Sequence, residues 1–234
     1  MKKKIGKIFI SGGGGIEESF LLDKQFVRSL TKRKVLYIPL ALNRDNIGFE
    51  ACYDWIISAL ARHSDDFINI TMLLDLAGYK KELNDDFDGI YIGGGNTYKL
   101  LQHIYNTGFD KKLTSFLRNG GLVYGGSAGA IILGKSIAIV SEENDNDYKY
   151  NKGLSLIGNY SIMCHYNEAE DDKILEFVKL YQSPVIALPE GSGLIIDKEK
   201  CEVVGDKSVL IFGLYQERKS EKSGNFINYI SLTI

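Results

Sequence analysis

The sequence predicts an α/β fold with a mostly parallel sheet that is covered by helices on both faces. Short apolar runs such as Ile5–Ile10 and Gly89–Ile92 alternate with segments whose apolar residues recur with helical periodicity. Strands that are apolar on both faces and separated by helices are typical of parallel sheets. Glycine-rich turns follow Ile10, Ile92 and Tyr124. Because ligands bind beyond the carboxyl ends of such strands, we expect the functional site at this edge.

The individual elements follow from apolar periodicity and from turn residues. Strands are predicted at 5–10, 35–40, 68–74, 89–92, 122–124, 136–140, 160–164, 185–188, 193–196, 202–204, 209–212 and 226–234. Helices are predicted at 19–30, 49–60, 97–104, 109–117 and 169–181, and a further one after Ser127. We expect the last four strands to be antiparallel and to complete the sheet. With no linker and no internal repeat, residues 1–234 are predicted to form one domain.

Composition and charge are those of an ordinary globular protein. Of 234 residues, 44% are hydrophobic and 25% are charged, with a formal net charge of -2. This charge gives no basis for binding nucleic acid or an anionic membrane, and no apolar run reaches the ~18 residues of a membrane span. The first apolar run is short and contains Lys7, so we expect no signal peptide. Three cysteines without paired spacing (Cys52, Cys164 and Cys201) indicate no disulfide framework and favour a reducing cytoplasm.

The segment Gly125–Gly129 fits the Gly-x-Ser-x-Gly pattern of a nucleophile elbow, a sharp strand-to-helix turn that presents a serine. An apolar strand precedes Ser127 and an apolar segment that can begin a helix follows it. Neighbours of a serine in such a turn must be small, because a side chain there would collide with the strand or the helix. The alternative is an ordinary tight turn in which Ser127 caps the helix.

A serine nucleophile needs a general base, and the chain contains three histidines. His63 lies at the polar end of a predicted helix, and His103 lies within another helix, on its expected polar side. His165 follows a predicted strand, at the edge where the functional site is expected. We therefore favour His165 as the base, against the alternative of a hydrogen-bonded histidine in a loop.

The base in turn needs an orienting acid, for which Glu190 is the first candidate. It follows an apolar strand, where a carboxylate is costly to desolvate unless it is paired, and His165 could be its partner. The alternative for Glu190 is a solvated turn residue. Rival carboxylates come from an acidic loop: Glu142, Glu143, Asp145 and Asp147. This loop lacks the spacing of a calcium site, and no metal site is predicted.

Backbone amides are expected to stabilise the oxyanion that forms during acyl transfer. Ala128 offers its amide directly after the nucleophile. The turn at Gly93–Gly95 can approach closely because it carries no side chains, so that Gly94 or Gly95 could supply the second donor. Tight turns and close packing alone would also account for these glycines.

Together, the segments Tyr91–Thr97 and Gly126–Ala130 resemble peptidase E, the aspartyl dipeptidase family that also includes the cyanophycinases. The resemblance extends over about residues 5–196. It implies a flavodoxin-like three-layer sandwich related to the class I glutamine amidotransferases, with antiparallel strands in the C-terminal part. It also implies a serine peptidase without cofactors, acting on short peptides with a preference for N-terminal Asp. The state of assembly is left open, with a homodimer as one alternative.

Carried onto this sequence, the resemblance implies that Ser127 is the nucleophile, His165 the base and Glu190 the acid. It places the oxyanion site at Gly94, Gly95 and Ala128. The segment after His165 departs from the pattern of many relatives, because residues 167–172 are rich in acids and contain no arginine. Like charges near the site would repel an acidic substrate, so the sequence supports the peptidase activity better than the aspartyl specificity.

Two other classes of protein are alternatives to the peptidase. A nucleotide-binding protein is suggested by the strand that leads into Ser11–Gly15, but Glu17 stands where the final glycine of the dinucleotide fingerprint would be, and no phosphate-binding loop is present. The second alternative is a catalytically altered binding protein on the same scaffold. The altered segment after His165 favours it, whereas the intact serine and histidine oppose it.

Overall fold

The computed structural model describes residues 5–42, 48–140, 150–198, 200–215 and 218–234. Its strands are β1 (Lys7–Ser11), β2 (Lys34–Ile38), β3 (Asn69–Met72), β4 (Gly89–Ile92), β5 (Leu122–Gly126), β6 (Ser161–Cys164), β7 (Val185–Leu188), β8 (Ser192–Ile196), β9 (Cys201–Gly205), β10 (Val209–Phe212), β11 (Arg218–Glu221) and β12 (Phe226–Ile227). Its helices are α1 (Ile16–Ser29), α2 (Phe49–Ala61), α3 (Leu83–Asp86), α4 (Thr97–Thr107), α5 (Phe109–Arg118), α6 (Ala128–Ile131) and α7 (Asp171–Tyr181). A 3₁₀ turn, Glu168–Glu170, precedes α7.

The main sheet has eight strands in the order β12-β9-β8-β1-β5-β4-β2-β3. Strands β1 to β5 run parallel, and β8, β9 and β12 extend the sheet in antiparallel fashion from the β1 edge. Because β1, β4 and β5 are parallel neighbours, their three glycine-rich ends meet at one edge. The predicted α/β fold with a mostly parallel sheet and later antiparallel strands is confirmed.

A second sheet, with the order β11-β10-β7-β6, corrects the prediction that all strands complete a single sheet. Strands β6 and β7 pair with each other in parallel, and β10 and β11 continue antiparallel from β7. Successive side chains of β7 alternate between two cores: Ile186 and Leu188 face the large central core, whereas Val185 and Ala187 face α7. Strand β7 is therefore buried on both faces, whereas the edge strand β11 is largely exposed.

The main sheet is also covered on both faces. Phe9 of β1 points into a core shared with α1 and α2, while its neighbours Ile8 and Ile10 point into the core shared with α4 and α5. This alternation along a fully buried strand explains why the sequence shows continuous apolar runs. No helix among the described residues is long and apolar enough to cross a membrane.

Some predicted boundaries are wrong. In the segment predicted as a strand at 136–140, Ser136 makes only an isolated bridge to Lys152, and a turn follows. In the segment 226–234, only Phe226–Ile227 forms a strand. Strand β11 was not predicted because its sequence, Arg-Lys-Ser-Glu, has no apolar side chain. Lys2, Lys3 and Lys4, a short basic cluster that we expect to be solvated, lie outside the described residues.

A carboxyl group is buried beneath the main sheet's glycine-rich edge. Asp23 of α1 has no solvent-exposed surface, and its Oδ2 accepts a hydrogen bond of 2.7 Å from Ser19 Oγ. Nearby, the rings of Tyr91 and Tyr124 stack with centroids 4.2 Å apart. Burial raises the pKa of Asp23 to about 6, although the Ser19 hydroxyl opposes the shift.

We predict that Asp23→Asn stabilises the protein near neutral pH and that the gain shrinks in acid. The native pKa lies above that of the unfolded chain, so wild-type stability falls as pH rises from about 4 to about 6. Above this window Asp23 is ionised in both states, and its burial costs about 3 kcal/mol, an order-of-magnitude value. Urea unfolding of both proteins at about pH 4.5 and about pH 7.5 measures the difference. A gain of equal size at both pH values would contradict the assignment.

Candidate active site

The turn after β5 presents Ser127 in a strained backbone conformation. Ser127 has φ 50° and ψ −114°, a combination that L-residues rarely adopt. The two glycines of the pattern hold this turn through close backbone contacts: a Cβ on Gly125 would lie 2.5 Å from the Gly129 carbonyl oxygen, and a Cβ on Gly129 would lie 2.2 Å from the Ile92 carbonyl oxygen. The Ser127 side chain makes no capping hydrogen bond to α6. The alternative in which Ser127 caps the helix is therefore wrong.

His165 lies directly after β6 and contacts this serine. Its Nε2 lies 2.8 Å from Ser127 Oγ, and its own backbone has a positive φ of 55°. The His165 amide donates a 2.8 Å hydrogen bond to the Gly12 carbonyl of the loop after β1. The imidazole rests on Gly13, where a Cβ would lie 2.2 Å from the ring. Gly13 therefore has to be glycine for the histidine to reach Ser127.

Glu190 completes a chain of three side chains. It lies two residues after β7, and its Oε1 lies 2.6 Å from His165 Nδ1. A carboxylate can only accept, so Nδ1 carries the proton and Nε2 is free to accept the Ser127 hydroxyl proton. Both side chains are half-exposed, at 47% and 45%. The rival acids lie outside the described residues: Glu142, Glu143, Asp145 and Asp147.

The predicted oxyanion donors lie beside the serine. A Cβ on Gly94 would be 3.0 Å from Ser127 Cβ, so this loop touches the serine side chain. The Gly93 amide is occupied by the Ile38 carbonyl at 3.0 Å. Within the described ranges, no hydrogen bond is made by the amides of Gly94, Gly95 or Ala128 to another residue. These amides therefore remain available to an oxygen bound next to Ser127.

The other two histidines lie away from this serine. His63 packs its ring on Phe20 with centroids 4.6 Å apart, and burial, followed by the charge of Arg62, lowers its pKa. His103 lies on α4, and neither residue lines the cavities that contain Ser127. Only His165 of the three contacts Ser127. Over the described part of the chain, no group of three or more His, Cys, Asp or Glu side chains could hold a metal ion.

The glycines that follow β1 are explained by packing within the chain, without a bound nucleotide. Gly13 accommodates the His165 ring, and a Cβ on Gly14 would lie 2.7 Å from Glu18 Cβ. The first turn of α1 is capped from within the chain, because Glu18 Oε2 accepts a 2.9 Å hydrogen bond from the Gly15 amide. A carboxylate of the chain therefore already occupies the helix end at which a phosphate would bind.

The acid-rich segment after His165 forms ion pairs with Arg218 of β11. Arg218 Nη1 lies 2.8 Å from Asp171 Oδ2, and Arg218 Nη2 lies 3.4 Å from Glu168 Oε1. The Tyr166 hydroxyl donates to Asp171 Oδ1 at 2.6 Å, and burial followed by this bond raises the pKa of Tyr166 to about 12. Arg218 thus reduces the negative charge that we expected to repel acidic substrates.

Two cavities meet at the Ser127–His165 pair. The larger has a volume of about 490 Å³ and extends over the main sheet. The smaller, of about 370 Å³, lies towards the second sheet and is lined by Met163 and by an ion pair of Lys173 and Glu170 with an N–O distance of 3.4 Å. If a substrate bond were positioned at Ser127 Oγ, the parts of the substrate on its two sides would each have one of these cavities to enter.

Sequence reasoning missed the walls of the larger cavity. Tyr37, Cys52 and Trp55 line it. Trp55 is only half-buried and borders the cavity. One signal was present: Tyr37 is the next-to-last residue of a parallel strand, close to the edge where ligands bind. Cys164, next to His165, is buried, and none of the three cysteines forms a disulfide.

Ser127 lies on a strand-to-helix elbow and is hydrogen-bonded to a histidine, which is hydrogen-bonded to a carboxylate. This is the arrangement of a serine hydrolase. The model of peptidase family S51 matches residues 8–204. The chain therefore belongs to peptidase family S51 and is a serine-type peptidase, which confirms the resemblance inferred from the two motifs.

Known relatives agree with this membership, and two solved structures share the fold. The chain is 27% identical over 203 residues to peptidase E of Shewanella baltica, covering 80% of this chain and 81% of that protein. It is 27% identical over 219 residues to peptidase E of Shewanella denitrificans, covering 88% and 90%. Its fold matches the crystal structure of a peptidase from an acI-B1 Actinobacterium, with TM-score 0.76, 20% identity and coverage of 97% and 98%. A protein described as a peptidase E from Listeria monocytogenes EGD-e matches with TM-score 0.64, 23% identity and coverage of 87% and 100%.

We predict that Gly125→Ala destabilises the protein and that Gly126→Ala, its neighbour, does not. A methyl group at Gly125 would press on the Gly129 backbone, whereas at Gly126 the nearest atom is the Tyr91 hydroxyl at 3.6 Å, an ordinary contact. Overpacking of this kind costs about 1–3 kcal/mol, which lowers Tm by several degrees in a chain of this size. Thermal unfolding of the two variants beside wild type measures the effect, and equal Tm values would contradict the close packing of the elbow.

Proposed function

We propose that the protein hydrolyses short peptides through a Ser127–His165–Glu190 triad. The observation that carries this proposal is the unbroken chain of side-chain contacts, 2.8 Å from Ser127 Oγ to His165 Nε2 and 2.6 Å from His165 Nδ1 to Glu190 Oε1. The strained conformations of Ser127 and His165 support it, because backbone strain of this kind concentrates at functional sites.

In the first half of the reaction, Ser127 Oγ attacks the carbonyl carbon of the scissile peptide bond while its proton passes to His165 Nε2. Glu190 stabilises the imidazolium and holds the ring orientation. The carbonyl oxygen becomes an oxyanion, which accepts hydrogen bonds from the amides of Ala128 and of Gly94 or Gly95. His165 then gives its proton to the leaving amine, the C–N bond breaks, and an acyl ester on Ser127 remains.

In the second half, a water molecule takes the place of the amine beside His165. His165 Nε2 removes a proton from this water as its oxygen attacks the ester carbon, and the same amides hold the second oxyanion. The proton returns to Ser127 Oγ as the ester bond breaks, which releases the acid product. Apart from the substrate and this water molecule, the proposed steps use side chains and amides of the chain.

Dipeptides with N-terminal Asp are the substrate class that the resemblance implies. Of the described residues that line the two cavities, Lys173 is the one Lys or Arg, and it is already paired with Glu170. An aspartyl side chain would therefore compete with Glu170 for this cation. We propose short peptides as the substrates and leave the preference for Asp to measurement.

Residues 1–234 are proposed to act as one unit, because the serine and its acid–base partners follow strands of different sheets. The alternative of a catalytically altered binding protein would not need the Ser127–His165 contact. The intact contact therefore favours turnover over binding alone.

We predict that Ser127→Ala lowers kcat by at least about 10³-fold, since the nucleophile is lost while the backbone amides remain. Hydrolysis of a dipeptide panel that includes Asp-Leu measures the loss. The matched control is Ser58→Ala, an exposed serine on α2, which should hydrolyse the panel at the wild-type rate. Wild-type turnover by the Ser127→Ala protein would remove the serine from the mechanism.

We predict that Glu190→Gln lowers kcat by about 10²–10⁴-fold with little change in KM. The amide of Gln can donate to Nδ1 and so favour the tautomer whose Nε2 cannot accept the serine proton. Glu176→Gln, at an exposed position of α7, removes the same charge away from the site and serves as control. A kcat for Glu190→Gln within threefold of the control would point to another acid.

A further inference from the structure

The larger cavity has aromatic walls that are held in fixed positions. The ring of Tyr91 packs edge-to-face against Tyr37, with centroids 5.8 Å apart, and against Trp55, with centroids 6.1 Å apart. Tyr37 and Tyr91 are each only 2% exposed, so the surrounding core fixes their rings. Leu42 and Cys52 add apolar surface, and Ser127 borders the same cavity.

From these walls we infer that the cavity is a specificity pocket for a large apolar side chain, above all an aromatic one, on a residue that flanks the scissile bond. The inference rests on the proposed function for the position of that bond, although the pocket itself does not depend on catalysis. Its volume of about 490 Å³ lies within the range of small-molecule sites, roughly 300–1,000 Å³. An entering ring would gain both apolar burial and edge-to-face contacts.

An acidic side chain is disfavoured in the same pocket. Among its described lining residues there is no Lys or Arg, so away from His165 a carboxylate would lose its water without gaining a counter-charge. Behind the lining residue Ser19 lies the carboxyl of Asp23, 2.7 Å from the serine hydroxyl. A second carboxylate entering the pocket would approach this group.

A basic side chain is disfavoured for a different reason. Asp23 has no exposed surface and does not line the pocket, so the charged end of a Lys or Arg could not bond to it directly. The side-chain acceptors that the described walls offer instead are hydroxyl groups such as those of Ser11 and Ser19. An apolar or aromatic side chain is therefore favoured, because it brings no charged or polar group that would need a partner in the pocket.

Trp55 is the residue whose change tests this directly. It is the single tryptophan of the chain, so tryptophan emission reports on this one residue at the pocket wall. The inert Ser127→Ala protein can be titrated with uncleaved dipeptides in two series, X-Ala and Ala-X, where X is Phe, Leu, Ala, Asp or Lys. We expect Trp55 emission to change on binding and, in one of the series, Phe and Leu to bind at least about tenfold more tightly than Ala, Asp and Lys.

The same peptides are then given to three active proteins. In Trp55→Ala we expect kcat/KM for the best Phe peptide to fall at least fivefold while that for the matching Ala peptide changes less than twofold. Trp55→Phe, which keeps a ring, should restore most of the loss. The control is Ile57→Ala, which removes a large, 38% exposed apolar side chain from the same helix outside the pocket and should leave the ratio unchanged.

The outcomes separate the pocket from the proposed mechanism. Tighter binding of Asp or Lys peptides, or no response of Trp55 to Phe peptides, overturns the pocket assignment even if hydrolysis depends on Ser127. Selective binding of Phe and Leu peptides without any hydrolysis by wild type upholds the pocket and overturns the proposed function. A Phe-to-Ala ratio of kcat/KM that is the same in wild type and Trp55→Ala also overturns the pocket assignment.

Discussion

The hydrogen bond from the His165 amide to the Gly12 carbonyl, 2.8 Å long, joins the two sheets at the point on which the site depends. His165 follows a strand of the second sheet, and Gly12 follows β1 of the main sheet. The bond brings the imidazole over Gly13 and towards Ser127 at the end of β5. The serine and the histidine follow strands of different sheets, and this junction lies beside the point where they meet.

The strain in the site is borne by the packing around it. Ser127 and His165 both have positive φ, which costs of order 1–3 kcal/mol at each residue. The elbow is held by the contact of Gly129 with the backbone of β4, and the histidine by its bond to Gly12. The segment after the histidine is held in turn by Arg218 through Asp171. The positive φ angles of Ser127 and His165, which are unfavourable for the isolated residues, are thus maintained by contacts between distant parts of the chain.

The sequence was sufficient for features that depend on local order. Alternating apolar runs predicted the parallel sheet, and strand ends predicted that Ser127, His165 and Glu190 lie at one edge, where the structure brings them into contact. Periodicity indicates that a segment is a strand but not which strand it pairs with, so the second sheet was missed. The same limit applies to Arg218, which lies 47 residues from Asp171 and in a strand without apolar residues.

The walls of the larger cavity come from β2, β4 and α2, whereas the proposed base and acid follow β6 and β7 of the other sheet. The parts proposed to select a peptide and the parts proposed to move protons are therefore built largely on different layers. If the proposed pocket selects the substrate, substitutions on α2 would change which side chain is accepted while the imidazole and its carboxylate stay in place. This separation would allow substrate specificity to diverge in evolution while the proposed catalytic residues are retained.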